Sequence, residues 1–312
     1  MRGKTRRLLP GTRRLLATSS VAALLIGGGM PVALAAPCTN VVAAPFDNPA
    51  NTTVQNICIT GSFTAPGSNV SNEGTISPSG IAFVGGTISG SILDTGVING
   101  GISLDAASMI TGNQVAISIG GSIFTGGISN AGTLSVSASA VVVNGPSTFS
   151  GGISNSGTIT AAGNGINVGG AGQFTGGIVN AASGTIAATR FGVGVLVGST
   201  GGPGVYNVSK FNGGISNAGS ISSNSGTGIQ INGVSTFGGG ISNSGTISGS
   251  RAGIRVEQTV SFVGSIVNAA GGAISGGTGI EICNCVTSFL GGITNAGTIA
   301  AAYTGVFVNG IS

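Results

Sequence analysis

The sequence predicts an all-β protein: a right-handed parallel β-helix of about nine coils, each of roughly 25–27 residues, with one longer coil. Three observations carry this. A Gly-Gly-Ile core recurs at Ile102, Ile128, Ile153, Ile178, Ile215, Ile241 and Ile293, with Ser265-Ile266 as a variant. Apart from the longer step between Ile178 and Ile215, successive positions lie roughly 25–27 residues apart, and a fixed period of this size marks units stacked on one another. Seven of the twelve phenylalanines (124, 149, 174, 211, 237, 262 and 289) stand four residues before a repeat isoleucine, and Ile98 takes that place before Ile102. Finally, 62 of 312 residues are glycine and only 5 % are charged, while 41 % are hydrophobic. That hydrophobic share argues against a solvated disordered chain, and Gly among β-branched residues disfavours helix by up to about 1 kcal/mol per Gly.

Residues 1–35 have the three parts of a secretory signal peptide: a basic segment ending near Arg14, an apolar run from Val21, and the small-x-small site Ala33-Leu34-Ala35. Gly27, Gly28, Gly29 and Pro31 break the apolar run, which makes it too short to span a bilayer. Two Arg-Arg pairs fit a twin-arginine signal only loosely, and Pro37 argues against lipid modification of Cys38. Six of the ten basic residues lie in this segment. After it, Arg190, Lys210, Arg251 and Arg255 face Asp47, Glu73, Asp94, Asp105, Glu257 and Glu281, so four minus six leaves −2. No basic patch for nucleic acid remains.

Residues 36–69 read as an N-terminal cap, non-repetitive and containing Pro45 and Pro49. Export places cysteines in an oxidising compartment. A Cys38–Cys58 bridge would close a loop of about 20 residues and stabilise by about 3 kcal/mol in the chain-entropy picture. Cys283 and Cys285 form a separate pair, expected as a local disulfide, with free thiols as the alternative. Four cysteines without a histidine do not make a four-ligand metal site from either pair.

Residues 70–312 read as repeats, counted from Val70 as the equivalent of the repeat isoleucine. In the coil from Ile153 to Ile178, Ile153 and Ile159 flank Ser-Asn-Ser-Gly-Thr; the triplet Ile166-Asn167-Val168 then alternates with the period of a strand with one buried face. The phenylalanines are expected as one buried column, each contributing about 1.5–3 kcal/mol on full burial. Asn130, Asn155, Asn180, Asn217, Asn243, Asn268 and Asn295 form a second column, with Asn72 as an earlier member. Amides stacked at about the 4.8 Å strand spacing can hydrogen-bond rung to rung, a structural ladder rather than a sugar- or ion-binding row. The step from Ile178 to Ile215 is longer than the others by about 12 residues, assigned to a protruding loop around Ser199–Tyr206 in which Tyr206 is the candidate contact residue. The last coil reaches Val308 and Ser312 without its next phenylalanine, so the chain reads as truncated in mid-coil.

Catalytic residues are scarce. There is no His to act as a base and no carboxylate pair at one repeat position. Gln230, Arg255 and Glu281 share the middle of the Gly-Ile-x-Val triplet, so Arg255 and Glu281 are expected to pair across neighbouring coils, worth about 0–1 kcal/mol if exposed. The Gly-Gly runs lack the Lys-Ser/Thr ending of a phosphate loop, and the repeats lack the Asp of calcium-binding nonapeptides. No cofactor is expected.

Together, the signal segment, the early Cys38–Cys58 pair and the Phe-x-Gly-Gly-Ile-Ser-Asn-x-Gly-Thr-Ile copies resemble the passenger domains of autotransporters, surface proteins of the type V secretion route in Gram-negative bacteria. The likeness covers residues 36–312. It implies a rod displayed at the outer membrane by a C-terminal barrel, for which residues 250–312 carry no strand pattern. The expected function is a non-enzymatic surface stalk or adhesin. Its partners would be molecules on host or neighbouring cells and the export and outer-membrane assembly machinery. The alternatives are a secreted polysaccharide-active β-helix enzyme, which would need clustered acids, and a released structural or ice-binding rod. The ice-binding reading rests on a recurring Gly-Thr-Ile threonine (Thr75, Thr158, Thr185, Thr246, Thr298) that drops out at Ala273.

Overall fold

A computed structural model describes residues 40–190, 192–198, 208–283 and 285–309. These belong to the folding unit Pro31–Ser312; the signal-like segment and Cys38 lie outside the described residues. Among the described residues there are 38 strands and no helix. Every strand pairing is parallel and joins one coil to the next, which makes the chain a parallel β-helix, consistent with the right-handed form.

Most coils supply four short strands in a fixed order; in the last three described coils the third and fourth merge into one strand, Thr246–Glu257, Ala273–Ile282 and Thr298–Val308. One coil runs through Thr148–Phe149, Ile153–Asn155, Thr158–Ala161 and Ile166–Val168, and the next begins at Gln173–Phe174. Stacked on their counterparts, these strands make a Phe column, an Ile-Ser-Asn column, a Thr-Ile column and a Gly-Ile-x-Val column. The first two are separate ten-stranded sheets; the last two join into one eighteen-stranded sheet. From Ile128 to Asn268 the strands of the Ile-Ser-Asn column bury their first and third side chains and turn the second outward, as in Ile153, Ser154 and Asn155.

The Gly-Gly corner explains the motif's glycines. Gly151 and Gly152 adopt φ of 99° and 71°, which side chains with a Cβ rarely do. A Cβ on Gly152 would also stand 2.6 Å from the carbonyl oxygens of Gly176 and Gly177 in the next coil. Corners of successive coils therefore stack backbone on backbone, and Ile153 N–H donates to Gly177 O at 3.0 Å.

Isoleucines and phenylalanines fill the interior. Phe124, Phe149, Phe174, Phe211, Phe237 and Phe262 are fully buried, and Phe289 is half-buried in the last described coil. Neighbouring rings lie 4.6–5.0 Å apart and within 18° of parallel. Those separations follow the strand spacing, since each ring rides on the same register position of the next coil. Ile98 pairs with Phe124 at the head of the column.

The first coils depart from the expected phase. Val70 does not belong to the repeat-isoleucine column: it pairs with Phe46 and Ile92 on the Gly-Ile-x-Val side. The isoleucine column instead begins Ile57, Ile81, Ile102, in shorter steps than those that follow, and its sheet is ten-stranded. Coils therefore start at Phe46, inside the segment read as a cap. Asn72 is likewise not an earlier member of the asparagine column. Val70-Ser71-Asn72-Glu73-Gly74-Thr75-Ile76 repeats the local motif, but it is seated one corner away: Thr75 pairs with Val97 in the Phe column. The asparagine column's position is held in these coils by Ile59, Phe83 and Leu104. The physical reason is that the motif encodes a corner, and any corner of the triangle can receive it.

Residues 40–42 cover the N-terminal edge of the isoleucine sheet, with Val42 N–H donating to Cys58 O and Cys58 N–H to Asn40 O, both at 2.9 Å. This shields one open edge at that end. In the last described coil Leu290, Tyr303 and Phe307 are exposed.

Candidate functional site

The asparagine column is a hydrogen-bonded ladder. Asn130 Nδ2 donates to Asn155 Oδ1 at 2.8 Å, and the pattern continues through Asn180, Asn217, Asn243, Asn268 and Asn295 at 2.7–2.9 Å. Each amide also donates to the glycine carbonyl of its own turn, for example Asn243 to Gly245 O at 3.0 Å. All but Asn295 are at most 2 % exposed. Asn130 Oδ1 has no partner, because Leu104 occupies the preceding rung. From Asn155 to Asn268 the donors and acceptors are engaged within the ladder and its turns, so these amides have nothing to offer a ligand.

Charge gathers on the outer side of the Gly-Ile-x-Val column. Gln230, Arg255 and Glu281 stack in register. Arg255 Nε lies 3.1 Å from Glu281 Oε1, and its Nη1 lies 2.6 Å from Glu257 Oε2. Gln230 Nε2 donates to Glu257 Oε1 at 2.5 Å. The side chains of Arg255, Glu257 and Glu281 are only 12, 10 and 19 % exposed, so the expected exposed pair is a half-buried network that also engages Glu257. One guanidinium between two carboxylates leaves the cluster one negative charge in excess, with both acids engaged by Arg255 and Glu257 also by the Gln230 amide.

Next to this network Cys283 and Cys285 form a disulfide, with Cα atoms 5.3 Å apart, and Gln258 N–H donates to Cys285 Sγ at 3.1 Å. Cys58 is buried and disulfide-bonded; its expected partner Cys38 lies outside the described residues. Tyr206 and the loop around it also lie outside them.

The Thr-Ile column turns two outward positions per strand to solvent, and registration aligns them into rows. Thr133, Thr158, Thr185, Ser220 and Thr246 form one; Ser135, Thr160, Ala187, Ser222 and Ser248 form the other. All are exposed or half-buried. Met109, Ala187, Ala273 and Ala300 interrupt the hydroxyls. The second row escapes sequence reading because Ser, Thr and Ala there share no motif, and Thr75 drops out because it sits on another face. A shallow groove of about 200 Å³ lies between Pro66, Gly67, Asn69, Ser89, Gly90, Gly112, Asn113 and Gln114. It presents amides and one hydroxyl, which can hydrogen-bond but cannot transfer a proton near neutral pH.

Two carboxylates are shifted. Burial pushes Asp94 up to about 6, against hydrogen bonds from Asn72 and from Gly96 N–H that pull the other way. In Asp105 a smaller burial effect is outweighed by donors from Ser108, Gly85 and Ala107, which hold it below the usual carboxylate value. The two do not meet: Asp94 pairs with Ile119 in one sheet, whereas Asp105 follows the strand Ile102–Leu104 of another. Among the described residues no three His, Cys, Asp or Glu gather as metal ligands, and no helix is long and apolar enough to cross a membrane.

None of the family models, curated proteins or solved structures compared with this chain matches it. What stands on geometry alone is a parallel β-helical rod with a hydroxyl-bearing face, an internally paired charge network and a self-satisfied asparagine ladder.

Proposed function

We propose that this chain is the passenger rod of an autotransporter-like protein, exported to the cell surface of a Gram-negative bacterium as a non-enzymatic stalk or adhesin. The observation that carries the reading is the coincidence of motif and coil. From Phe124 onward, Phe-x-Gly-Gly-Ile-x-Asn supplies the core ring, the corner, the strand and the ladder of each coil, with Gly264-Ser265 the variant of the glycine pair and Val179, Val267 and Thr294 in place of the usual serine. A sequence whose repeat goes into length and stiffness suits a display scaffold, and the signal-like residues 1–35 suit export. Contacts with partner cells would then fall on outward residues and on what interrupts the repeat, Tyr206 included, rather than on the motif.

The test is expression of the complete gene in a Gram-negative host that lacks it. Surface labelling of intact cells together with increased aggregation or attachment is expected. A protein retained in the cytoplasm, or one displayed without any change in attachment, contradicts the adhesin reading; the second outcome alone leaves a stalk. The hydroxyl rows favour one second reading, a released rod that orders water or binds an extended polysaccharide through a flat face. Thermal hysteresis or pull-down on insoluble glycans by purified protein would show it.

A further inference from the structure

In the first coils a separate polar ladder runs along the Gly-Ile-x-Val column and ends on an acid. Asn48 Nδ2 donates to Asn72 Oδ1, and Asn72 Nδ2 donates to Asp94 Oδ1, both at 2.7 Å. Gly96 N–H donates to the same Asp94 oxygen at 3.2 Å. The next coil places Ile119 in that register. Asp94 is 1 % exposed, and its Oδ2 has no hydrogen-bond partner.

The asparagines of the second ladder show which atom that oxygen replaces. A Cβ on Gly219 would stand 2.1 Å from Gly184 O and 2.9 Å from Asn180 Nδ2; on Gly297, 2.1 Å from Gly272 O and 2.8 Å from Asn268 Nδ2. At Gly121 the same point lies 2.0 Å from Gly96 O and 3.0 Å from Asp94 Oδ2. In the asparagine turns that nitrogen donates to that carbonyl, at 3.1 Å from Asn180 to Gly184 O and 3.2 Å from Asn268 to Gly272 O. Asp94 Oδ2 therefore stands where a donor belongs, facing a carbonyl. An ionised carboxylate puts two acceptors against each other there; a protonated one restores the bond.

We propose that folded Asp94 is a neutral carboxylic acid whose Oδ2–H donates to the Gly96 carbonyl in place of an asparagine amide, so that its ionisation loosens the first coils and makes them a pH-sensitive segment of the helix. Its surroundings offer no compensating cation. Of the neighbouring strands, Val70–Asn72 leads into exposed Glu73 and Phe46–Asn48 carries exposed Asp47, both acids. Ile117–Ile119, Gly120, Gly121 and the turn Thr95-Gly96 carry no titratable side chain, and no Lys or Arg occurs between residue 40 and Arg190. Burial that raises this carboxyl from 3.8 to about 6 agrees with the geometry. The sign follows: the folded state binds the proton more tightly than the unfolded chain, so this contribution is full below about pH 4 and is lost as pH rises through about 6.

The experiment compares the full chain with Asp94→Asn by equilibrium unfolding between pH 4 and 8, alongside a carbon NMR titration of the Asp94 carboxyl. The variant's amide supplies the donor at every pH. The ratio of the two unfolding constants is therefore expected to change on the order of a hundredfold between pH 4 and 7. The carboxyl is expected to titrate near 6, the variant being the more stable protein at neutral pH. A pH-independent ratio, or a carboxyl titrating near the ordinary 3.8, overturns the proposal. If the variant fails to fold, the NMR titration alone decides.

Discussion

At Asn217 a single buried amide serves four neighbours at once. Its Nδ2 donates to Asn243 Oδ1, Gly219 O and Thr246 O, and its Oδ1 accepts from Asn180. Replacing Asn217 with Ala strands the fully buried Asn243 Oδ1 without its donor. An unfolding free energy lower by about 2–3 kcal/mol is expected, since a buried unsatisfied group costs its desolvation. The outward neighbour Ser216→Ala is expected to change stability by less than about 0.5 kcal/mol. Urea midpoints of both variants check the contrast, and equal shifts would remove the ladder's structural role. The ladder was legible in sequence because each asparagine keeps a constant offset from its isoleucine. The Asn48–Asn72–Asp94 ladder was not, since it lacks that offset and its last member is an acid. Glu257's part in the Arg255 network was missed for a related reason: Arg255 and Glu257 lie on one strand, two residues apart, and their side chains meet only where the outer side of the column is half-buried.

Among elements, the Phe column couples neighbouring coils most plainly. Phe174 stacks on Phe149 at 4.6 Å and on Phe211 at 4.7 Å, and it is fully buried. Phe174→Ala opens a cavity flanked by two rings that the backbone holds apart, so a loss of about 3–5 kcal/mol is expected. Phe289→Ala, half-buried and with one described stacking neighbour, is expected to cost less. Denaturation of the two variants measures the difference. Strand identities from Phe124 onward could be read from the sequence because ring, corner and asparagine recur in one phase. The earlier coils could not be phased in this way. The shorter steps from Ile57 to Ile81 and from Ile81 to Ile102, and the apolar Ile59, Phe83 and Leu104 in the asparagine position, break the pattern. The motif copy at Val70–Ile76 then points to the wrong corner. Local sequence specifies a turn; only pairing with the next coil says which side of the triangle the turn serves.

For the molecule as a whole, one coil is the unit of both sequence and structure. Ile128 pairs directly with Ile153, and Ile153 with Ile178, although a full coil of chain separates each from the next. Stability in such an array is close to a sum over coils and their interfaces, so a whole coil is removable and part of one is not. The proposed display function depends on this, because a rod built of interchangeable coils can set its length without altering its surface chemistry. The most direct test deletes positions 153–177, which joins Gly152 to Ile178 and re-pairs Ile128 with Ile178, and compares it with a deletion of positions 153–164. Circular dichroism and unfolding should find the whole-coil deletion folded, with β-structure and a midpoint near that of the parent, and the part-coil deletion unfolded or aggregated. Equal tolerance of both deletions, or collapse of the whole-coil variant alone, would contradict the coil as the building unit.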